Sequence, residues 1–110
     1  MASTGPVPQI PATDVPAGAY LLDVRDYDEW DAGHVPGAVH IPLGELGARY
    51  TELNRDLPLY VICRSGLRSD RAAQALAEAG WDASNVADGM VGWQAAGLPM
   101  ASESGQPYVA

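Results

Sequence analysis

The sequence has a single cysteine, no lysine and no phenylalanine, and the scarcity of thiols already limits what the protein can be. One cysteine permits no disulfide within the chain, and a free thiol stays reduced most readily in the cytoplasm, where we expect the protein to be found. No apolar run approaches the roughly 20 residues that span a bilayer. The first residues also lack the basic and apolar blocks of a secretory signal. We therefore expect no membrane partner.

Positive charge is scarce as well. Six arginines stand against 14 acidic residues, which gives a formal charge of -8 at pH 7. Such a protein is poorly suited to neutralise phosphates, so we expect no nucleic-acid partner. Three of the six arginines, Arg64, Arg68 and Arg71, nevertheless follow the lone Cys63 within eight positions. Because salt screens charges beyond about 8 Å, this segment can be locally positive, and it indicates an anion site.

The pattern of apolar residues predicts a single α/β domain. A chain of 110 residues can enclose one hydrophobic core. The alternation of short apolar strands with helices indicates a mainly parallel sheet. Within 43–53, Gly44 and Gly47 argue against one long helix. We assign residues 1–6 to a flexible N-terminal tail, 7–100 to the domain and 101–110 to a C-terminal tail. Extended segments are predicted at 7–10, 20–24, 38–41, 59–62 and 84–87, and helical segments at 27–32, 43–53, 69–79 and 90–96.

The run CRSGLRS, from Cys63 to Ser69, lies between a predicted central strand and a predicted helix. Ligands of open parallel sheets bind beyond the carboxyl ends of the strands. Two small residues, Ser65 and Gly66, allow the loop to turn its backbone N–H groups inward as a cradle for an anion. The positive end of the following helix favours thiolate over thiol. The sequence therefore predicts that Cys63 is a nucleophile with a lowered pKa.

The arginines of this loop are candidates for holding an anionic substrate group. We expect Arg68 at the entrance of the cradle and Arg64 as a second candidate, and we assign Arg71 to a solvated helix face. Ser69 is predicted either to cap the helix or to donate its hydroxyl to the cysteine sulfur. A cysteine that merely packs at a strand end is a simpler interpretation of Cys63, but it leaves the arginines unexplained.

Several motifs together resemble the rhodanese homology domain in its small single-domain form. The resemblance covers residues from about 7 to 100, and the family usually has a glycine where this chain has Asp88. It implies a rhodanese-like fold, in which a mainly parallel sheet of about five strands is flanked by helices on both faces. The motifs are LDVR at 22–25 with Glu29-Trp30, GHVPGA at 33–38 with Ile41-Pro42, the CRSGLRS loop, and DGM at 88–90 followed by Trp93 and GLP at 97–99.

The resemblance implies a sulfurtransferase in which Cys63 is the catalytic residue. The Cys63 thiolate would attack the outer sulfur of a donor such as thiosulfate, hold that sulfur as a persulfide, and pass it to cyanide or a cellular thiol. A sulfur-relay protein is a further candidate partner, and no metal or organic cofactor is implied. The residues expected to bind the substrate or the persulfide are Arg64, Ser65, Gly66, Leu67, Arg68 and Ser69.

Three residues outside the loop, Asp23, Arg25 and His34, are candidates for supporting it from neighbouring elements. For Asp23 and Arg25 we favour a structural ion pair with Glu29 as an additional partner, and for His34 a hydrogen bond that stabilises its turn. The spacing of Cys63 and the two histidines matches no zinc-ligand pattern. It does not match a Cys–His protease either.

Two other functions remain open from the sequence. A cysteine phosphatase or arsenate reductase built on the same fold has a loop that resembles this one but is one residue longer. Here four residues separate Cys63 from Arg68, and we expect the tighter cradle to suit a sulfur atom better than a tetrahedral phosphate. The other alternative is a non-catalytic rhodanese-like binding module. Such modules commonly lack the cysteine, which this chain keeps.

Overall fold

A computed structural model describes residues 6–110, so most of the predicted N-terminal tail, residues 1–5, lies outside the described residues. The domain boundaries drawn from the sequence stay a prediction. Two short 3-10 turns accompany the regular elements, at Ala12–Asp14 and at Tyr50–Glu52. The strands are β1 (Gln9–Ile10), β2 (Tyr20–Asp23), β3 (Val39–His40), β4 (Leu59–Ile62) and β5 (Ala83–Val86), and the helices are α1 (Tyr27–Ala32), α2 (Leu43–Arg49), α3 (Leu67–Glu78) and α4 (Gly89–Ala95).

The strands form one sheet in the order β1-β5-β4-β2-β3, and every neighbouring pair is parallel. Parallel neighbours need a crossover connection, which the helices provide. Because all strands run the same way, their carboxyl ends meet at one edge of the sheet. The last residues of β2 and β4, Asp23 and Ile62, are direct partners in the sheet. The residues that follow these two strands therefore emerge side by side, which brings Arg25 close to the loop that begins at Cys63.

Apolar side chains cover the sheet on both faces. Successive residues of a strand point to opposite faces, so Leu22 and Val61 belong to one buried cluster and Leu21 and Ile62 to another. The first cluster is completed by side chains of α2 and α3, and the second by Met90 and Trp93 of α4. A parallel five-stranded sheet with helices on both faces confirms the fold class predicted from the sequence.

Helix α3 begins two residues earlier than the sequence pattern predicts. Gly66 precedes the helix and adopts φ +98°, a left-handed conformation that suits glycine, and Leu67 is the first helical residue. Ser69 consequently lies in the first turn of α3, so the prediction that it caps the helix is wrong. The segment with Gly44 and Gly47 is a seven-residue α-helix that continues into a 3-10 turn, rather than one long helix.

Residues 101–110 run back across the loop after α1. Backbone hydrogen bonds join His34 and Ala101 in both directions (2.9 and 2.8 Å), and the N–H of Tyr108 donates to the carbonyl of Ala32 (3.1 Å). Gly33 packs so closely against Tyr108 that a side chain at this position would collide with the Tyr108 backbone. None of the helices within residues 6–110 combines the length and the apolar composition needed to cross a membrane.

Candidate active site

Cys63 lies immediately after β4, at the carboxyl edge of the sheet, and its residue surface is only 1% exposed. Two donors lie within hydrogen-bond distance of its sulfur, the backbone N–H of Gly66 (3.1 Å) and the hydroxyl of Ser69 (3.2 Å). The loop thus folds back over its own first residue and turns donors toward the sulfur. Such an arrangement stabilises negative charge on the sulfur, since hydrogen bonds to a charged group are stronger than those between neutral groups.

Two glycines allow the backbone to approach this closely. A Cβ on Gly66 would collide with the carbonyl group of Ala87, and a Cβ on Gly89 would meet the carbonyl oxygens of Cys63 and Arg64. Gly89 has φ +57° and opens α4, whose first N–H groups bind the same two carbonyls: Met90 donates to Cys63 (2.8 Å) and Val91 to Arg64 (3.0 Å). The start of α4 therefore anchors the cysteine loop, a role that the sequence did not reveal.

The hydrogen bonds determine the protonation behaviour of Cys63. Burial alone raises the pKa of the thiol, but donors from the Ser69 side chain and from the backbone of Ser69, Gly66 and Ser65 outweigh it, so the pKa lies below its ordinary value. A larger fraction of Cys63 is therefore thiolate at neutral pH than in an unperturbed thiol. The thiolate is the nucleophilic form of cysteine.

The Ser69 hydroxyl lies between the sulfur and a buried amide. Its oxygen is 3.2 Å from Cys63 Sγ and 2.6 Å from Asn85 Oδ1, both of them within hydrogen-bond distance. A hydroxyl carries one hydrogen, so Ser69 donates either to the amide oxygen or to the sulfur. When Cys63 loses its proton, the hydroxyl can turn toward the sulfur without any movement of the backbone.

Asn85 is the site residue that sequence reasoning missed. It is buried in β5, and its side-chain N–H₂ group donates to the carbonyl of Gly66 (3.1 Å) and to Gln9 Oε1 (2.8 Å). It therefore holds both the loop and the serine that contacts the sulfur. The available signal was a single amide within the predicted extended segment 84–87, since polar groups that become buried are kept where they make hydrogen bonds.

Arg68 forms a bidentate ion pair with Glu29. Nη1 and Nη2 of the arginine donate to Oε1 and Oε2 of the glutamate at 2.7 and 2.9 Å. Glu29 also accepts the backbone N–H of Asp26 (3.1 Å), so it caps α1 at the same time. The Arg68 hydrogen bonds are the main reason that the pKa of the Glu29 carboxyl lies below its ordinary range. The pair links α1 to the first turn of α3 beside the cysteine loop.

Asp23 and Arg25 pair with each other rather than with Glu29. Arg25 Nη2 is 2.8 Å from Asp23 Oδ2 and also donates to the carbonyl of Gly33 (2.7 Å). Both side chains are 0% exposed, and Arg25 Nη1 finds no hydrogen-bond partner among residues 6–110. The pair lies beside the site because β2 and β4 are neighbouring strands. The N–H of Val24 donates to the carbonyl of Ile62 (3.1 Å), the residue that precedes Cys63.

His34 is held by the turn in which it lies. Its Nδ1–H donates to the carbonyl of Trp30 (2.8 Å), and its ring stacks on the Trp30 indole with a centroid distance of 3.7 Å. His40 stacks on Trp30 as well (4.6 Å) and donates to the carbonyl of Arg25 (2.7 Å). The indole thus has an imidazole stacked on it from each of two elements. The hydrogen bonds of His34 are made to Trp30 and Ala101, neither of which belongs to the Cys63 loop.

The outer side of the loop faces solvent. Ser65 and Arg64 are exposed, and Arg64 Nε donates to the carbonyl of Ala110 (3.0 Å). Leu67, the first residue of α3, is 78% exposed. The sulfur is therefore buried against the sheet, and a solvent-exposed rim borders it. This rim contains one apolar side chain, Leu67, and two cationic side chains, Arg64 and Arg68.

Known proteins resemble this chain over most of its length. The family model described as "Rhodanese-like domain" matches residues 10–96. The thiosulfate sulfurtransferase GlpE of Actinobacillus succinogenes is 39% identical over 88 residues, which cover 79% of this chain and 79% of that protein. YrkF of Bacillus subtilis is 46% identical over 74 residues, 66% of this chain, so the chain spans only 40% of the length of that relative. Among solved structures, a rhodanese-related protein from Thermoplasma volcanium superposes with a TM-score of 0.82 at 31% identity, covering 86% of this chain and 97% of that one.

Proposed function

The chain belongs to the rhodanese-like domain family, and we propose that it is a sulfurtransferase that carries a sulfane sulfur on Cys63. The observation that carries the proposal is the buried Cys63 sulfur, which accepts hydrogen bonds from the Gly66 N–H and the Ser69 hydroxyl. These donors stabilise an anionic sulfur, and neither His34 nor His40 is hydrogen-bonded to it as a base. They suit a thiolate before the transfer and a persulfide after it.

In the first half-reaction the Cys63 thiolate attacks the outer sulfur of a donor such as thiosulfate. A new S–S bond forms on Cys63, the S–S bond of the donor breaks, and sulfite leaves with the electron pair, so charge and atoms balance. The product is a Cys63 persulfide anion. The backbone N–H groups of Gly66 and Ser69, which lower the pKa of Cys63, would also stabilise the negative charge of this persulfide.

In the second half-reaction a thiophilic acceptor removes the outer sulfur and regenerates the thiolate. Cyanide would leave as thiocyanate, and a thiol on a small molecule or on a sulfur-relay protein would become a persulfide. The exposed rim supports access by acceptors of either size, since Arg64 and Leu67 lie open to solvent. The cycle needs a reduced Cys63, which favours a reducing compartment such as the cytoplasm.

The phosphatase alternative is less well supported by the site. A phosphate cradle needs an arginine free to bind the equatorial phosphate oxygens, and both terminal nitrogens of Arg68 are bound to Glu29. The binding-module alternative leaves the lowered pKa of Cys63 without a purpose. Sulfur transfer uses both the short loop and the stabilised thiolate.

Mass spectrometry with a single substitution tests the proposal. Wild-type protein incubated with thiosulfate is expected to gain one sulfur atom on Cys63, to lose it again on addition of cyanide, and to release thiocyanate in equal amount. Cys63→Ser is expected to show neither event while keeping its thermal unfolding transition. An aryl phosphate should not be hydrolysed. The proposal fails if wild type stays unmodified with sulfane donors, or if the serine variant still makes thiocyanate.

A further inference from the structure

The net positive charge beside Cys63 is smaller than the three arginines that follow it, Arg64, Arg68 and Arg71, suggest. Arg68 directly precedes Ser69, whose hydroxyl lies 3.2 Å from the Cys63 sulfur, so the arginine belongs to the first turn of α3 beside the site. Both of its terminal nitrogens, however, are bound to the Glu29 carboxylate. Bidentate pairs of this kind are among the strong hydrogen-bonded arrangements of an arginine and a carboxylate.

Glu29 is positioned to neutralise that arginine by contacts on two sides. Its side chain is 15% exposed and also accepts the N–H of Asp26, so its position is fixed by α1 as well as by Arg68. Because the Arg68 bonds keep the pKa of its carboxyl below the ordinary value, Glu29 is ionised throughout the neutral range. The pair therefore presents a net charge of zero to a molecule that approaches Cys63.

The other nearby arginines do not replace the lost charge. Arg25 is fully buried and paired with Asp23. Arg64 is exposed on the rim, where water and salt screen its field. What remains around the sulfur are uncharged donors, the N–H of Gly66 and the hydroxyl of Ser69. These donors stabilise one negative charge well, but they offer little compensation for a second charge carried outside the cradle.

We propose that Glu29 is a specificity-determining residue: by neutralising Arg68, it makes the Cys63 site favour sulfane donors that carry one negative charge over donors that carry two. The inference rests on the proposed sulfur transfer. Persulfides and thiosulfonates belong to the first class, and thiosulfate to the second. With methanethiosulfonate the Cys63 thiolate takes the outer sulfur, the donor S–S bond breaks, and methanesulfinate leaves with the electron pair, so the chemistry matches that of thiosulfate and only the donor charge differs.

Glu29→Gln isolates the charge from the shape. Glutamine at this helix position can still accept the N–H of Asp26, as in a capping box, and it keeps one oxygen for Arg68. The substitution uncovers one positive charge near the sulfur. Since a Coulomb interaction scales with the charge of the donor, we expect kcat/KM to rise about threefold for methanethiosulfonate and about tenfold for thiosulfate. The ratio of the two values therefore rises about threefold.

Arg68→Gln and the double variant complete the test. Arg68→Gln leaves the Glu29 carboxylate uncompensated, so the thiosulfate-to-methanethiosulfonate ratio should fall about threefold. Glu29→Gln/Arg68→Gln removes both charges and should return the ratio to the wild-type value. Thiocyanate formation at saturating cyanide provides the rates, and thermal unfolding monitors folding. Salt at about 0.5 M should bring the ratios of all four proteins together.

The outcomes separate this inference from the proposed function. If wild type forms no Cys63 persulfide with either donor, the proposed sulfur transfer fails. If wild type forms it, but a folded Glu29→Gln leaves the ratio unchanged, the inference about Glu29 is overturned. A double variant with the same low ratio as Arg68→Gln overturns it as well, because Arg68 would then act on the donor regardless of Glu29. Should Glu29→Gln fail to fold, the Arg68→Gln variant still tests the inference. A thiosulfate-to-methanethiosulfonate ratio that does not fall in this variant would contradict it.

Discussion

Two arginine–carboxylate pairs lie near the cysteine loop, and they differ in their access to water. Asp23 and Arg25, at the end of β2, are both 0% exposed. Glu29 and Arg68, between α1 and α3, keep 15% and 34% of their side-chain surface. Both pairs bring carboxylate oxygens and guanidinium nitrogens to 2.7–3.1 Å. Their geometry is similar, so the difference between them lies mainly in solvation.

Solvation decides what each pair can contribute. A buried charge that loses its partner cannot recover the lost interaction from water, so the Asp23–Arg25 pair is bound into the structure of the strand ends. A partly exposed charge is screened and can be changed at small cost in stability. Evolutionary or experimental change at Glu29–Arg68 can therefore alter the field at the sulfur while the fold persists. We therefore expect the Asp23–Arg25 pair to matter mainly for stability and the Glu29–Arg68 pair mainly for the field at the sulfur.

The largest expected effect is on the buried pair. Arg25→Met leaves the Asp23 carboxylate buried without its partner, and we expect it to lower the free energy of unfolding by about 3–5 kcal/mol. Urea denaturation followed by tryptophan fluorescence provides the measurement. The double variant Asp23→Leu/Arg25→Met, which has no unpaired charge, should recover part of that loss. A loss below about 1 kcal/mol for Arg25→Met would contradict the distinction between the two pairs.

An intermediate effect is expected at Ser69, which is buried like the first pair but contacts the sulfur. Ser69→Ala removes a hydrogen bond that lowers the pKa of Cys63, so the pKa rises toward its ordinary value. Below that pKa less thiolate is present, and persulfide formation should slow about tenfold. The rate-against-pH curve should shift to higher pH and approach the wild-type rate in alkaline buffer. Ser84→Ala, on β5 beside Asn85, is the matched control, and an unshifted curve for Ser69→Ala would refute the role of the hydroxyl.

The smallest effect is expected at the exposed rim. The Leu67 side chain is 78% exposed, and leucine and alanine are both good helix formers, so Leu67→Ala should change the free energy of unfolding by less than about 0.5 kcal/mol. The same urea titration that is used for Arg25→Met measures it. If Leu67→Ala instead lowered the free energy of unfolding by about 2 kcal/mol or more, the rim would contribute to the stability of the fold. The contrast with the buried Asp23–Arg25 pair would then be lost.

Much of the fold and the centre of the site could be predicted because the signals are local. The apolar run Leu59–Ile62 predicts β4, and the segment from Cys63 onward predicts a turn into a helix. The start of that helix was misjudged by two residues, because Gly66 adopts a left-handed conformation and lets Leu67 open the helix directly. Composition alone does not show which conformation a glycine takes.

The partners of the site residues could not be read from the sequence for a physical reason. Glu29 and Arg68 are 39 positions apart, and Ser69 and Asn85 are 16 apart. Such pairs are brought together by the sheet order and by helix packing, neither of which a local pattern encodes. The sequence therefore identifies Arg68 as a cation near the cysteine, but only the fold shows that Glu29 cancels its charge.

The position of Asn85 has a consequence for how the protein is made. The amide of Asn85 holds the Gly66 carbonyl and Gln9 Oε1, and β1 pairs with β5 across 76 positions of sequence. Chains emerge from the ribosome N-terminus first, so β1 and the segment around Cys63 are synthesised before the strand that joins them. The donors to the sulfur belong to the loop itself, but the Asn85 amide that contacts Ser69 and Gly66 reaches them only when β5 pairs with β4 and β1. The complete set of contacts around the cysteine loop therefore requires a strand that is synthesised after the loop.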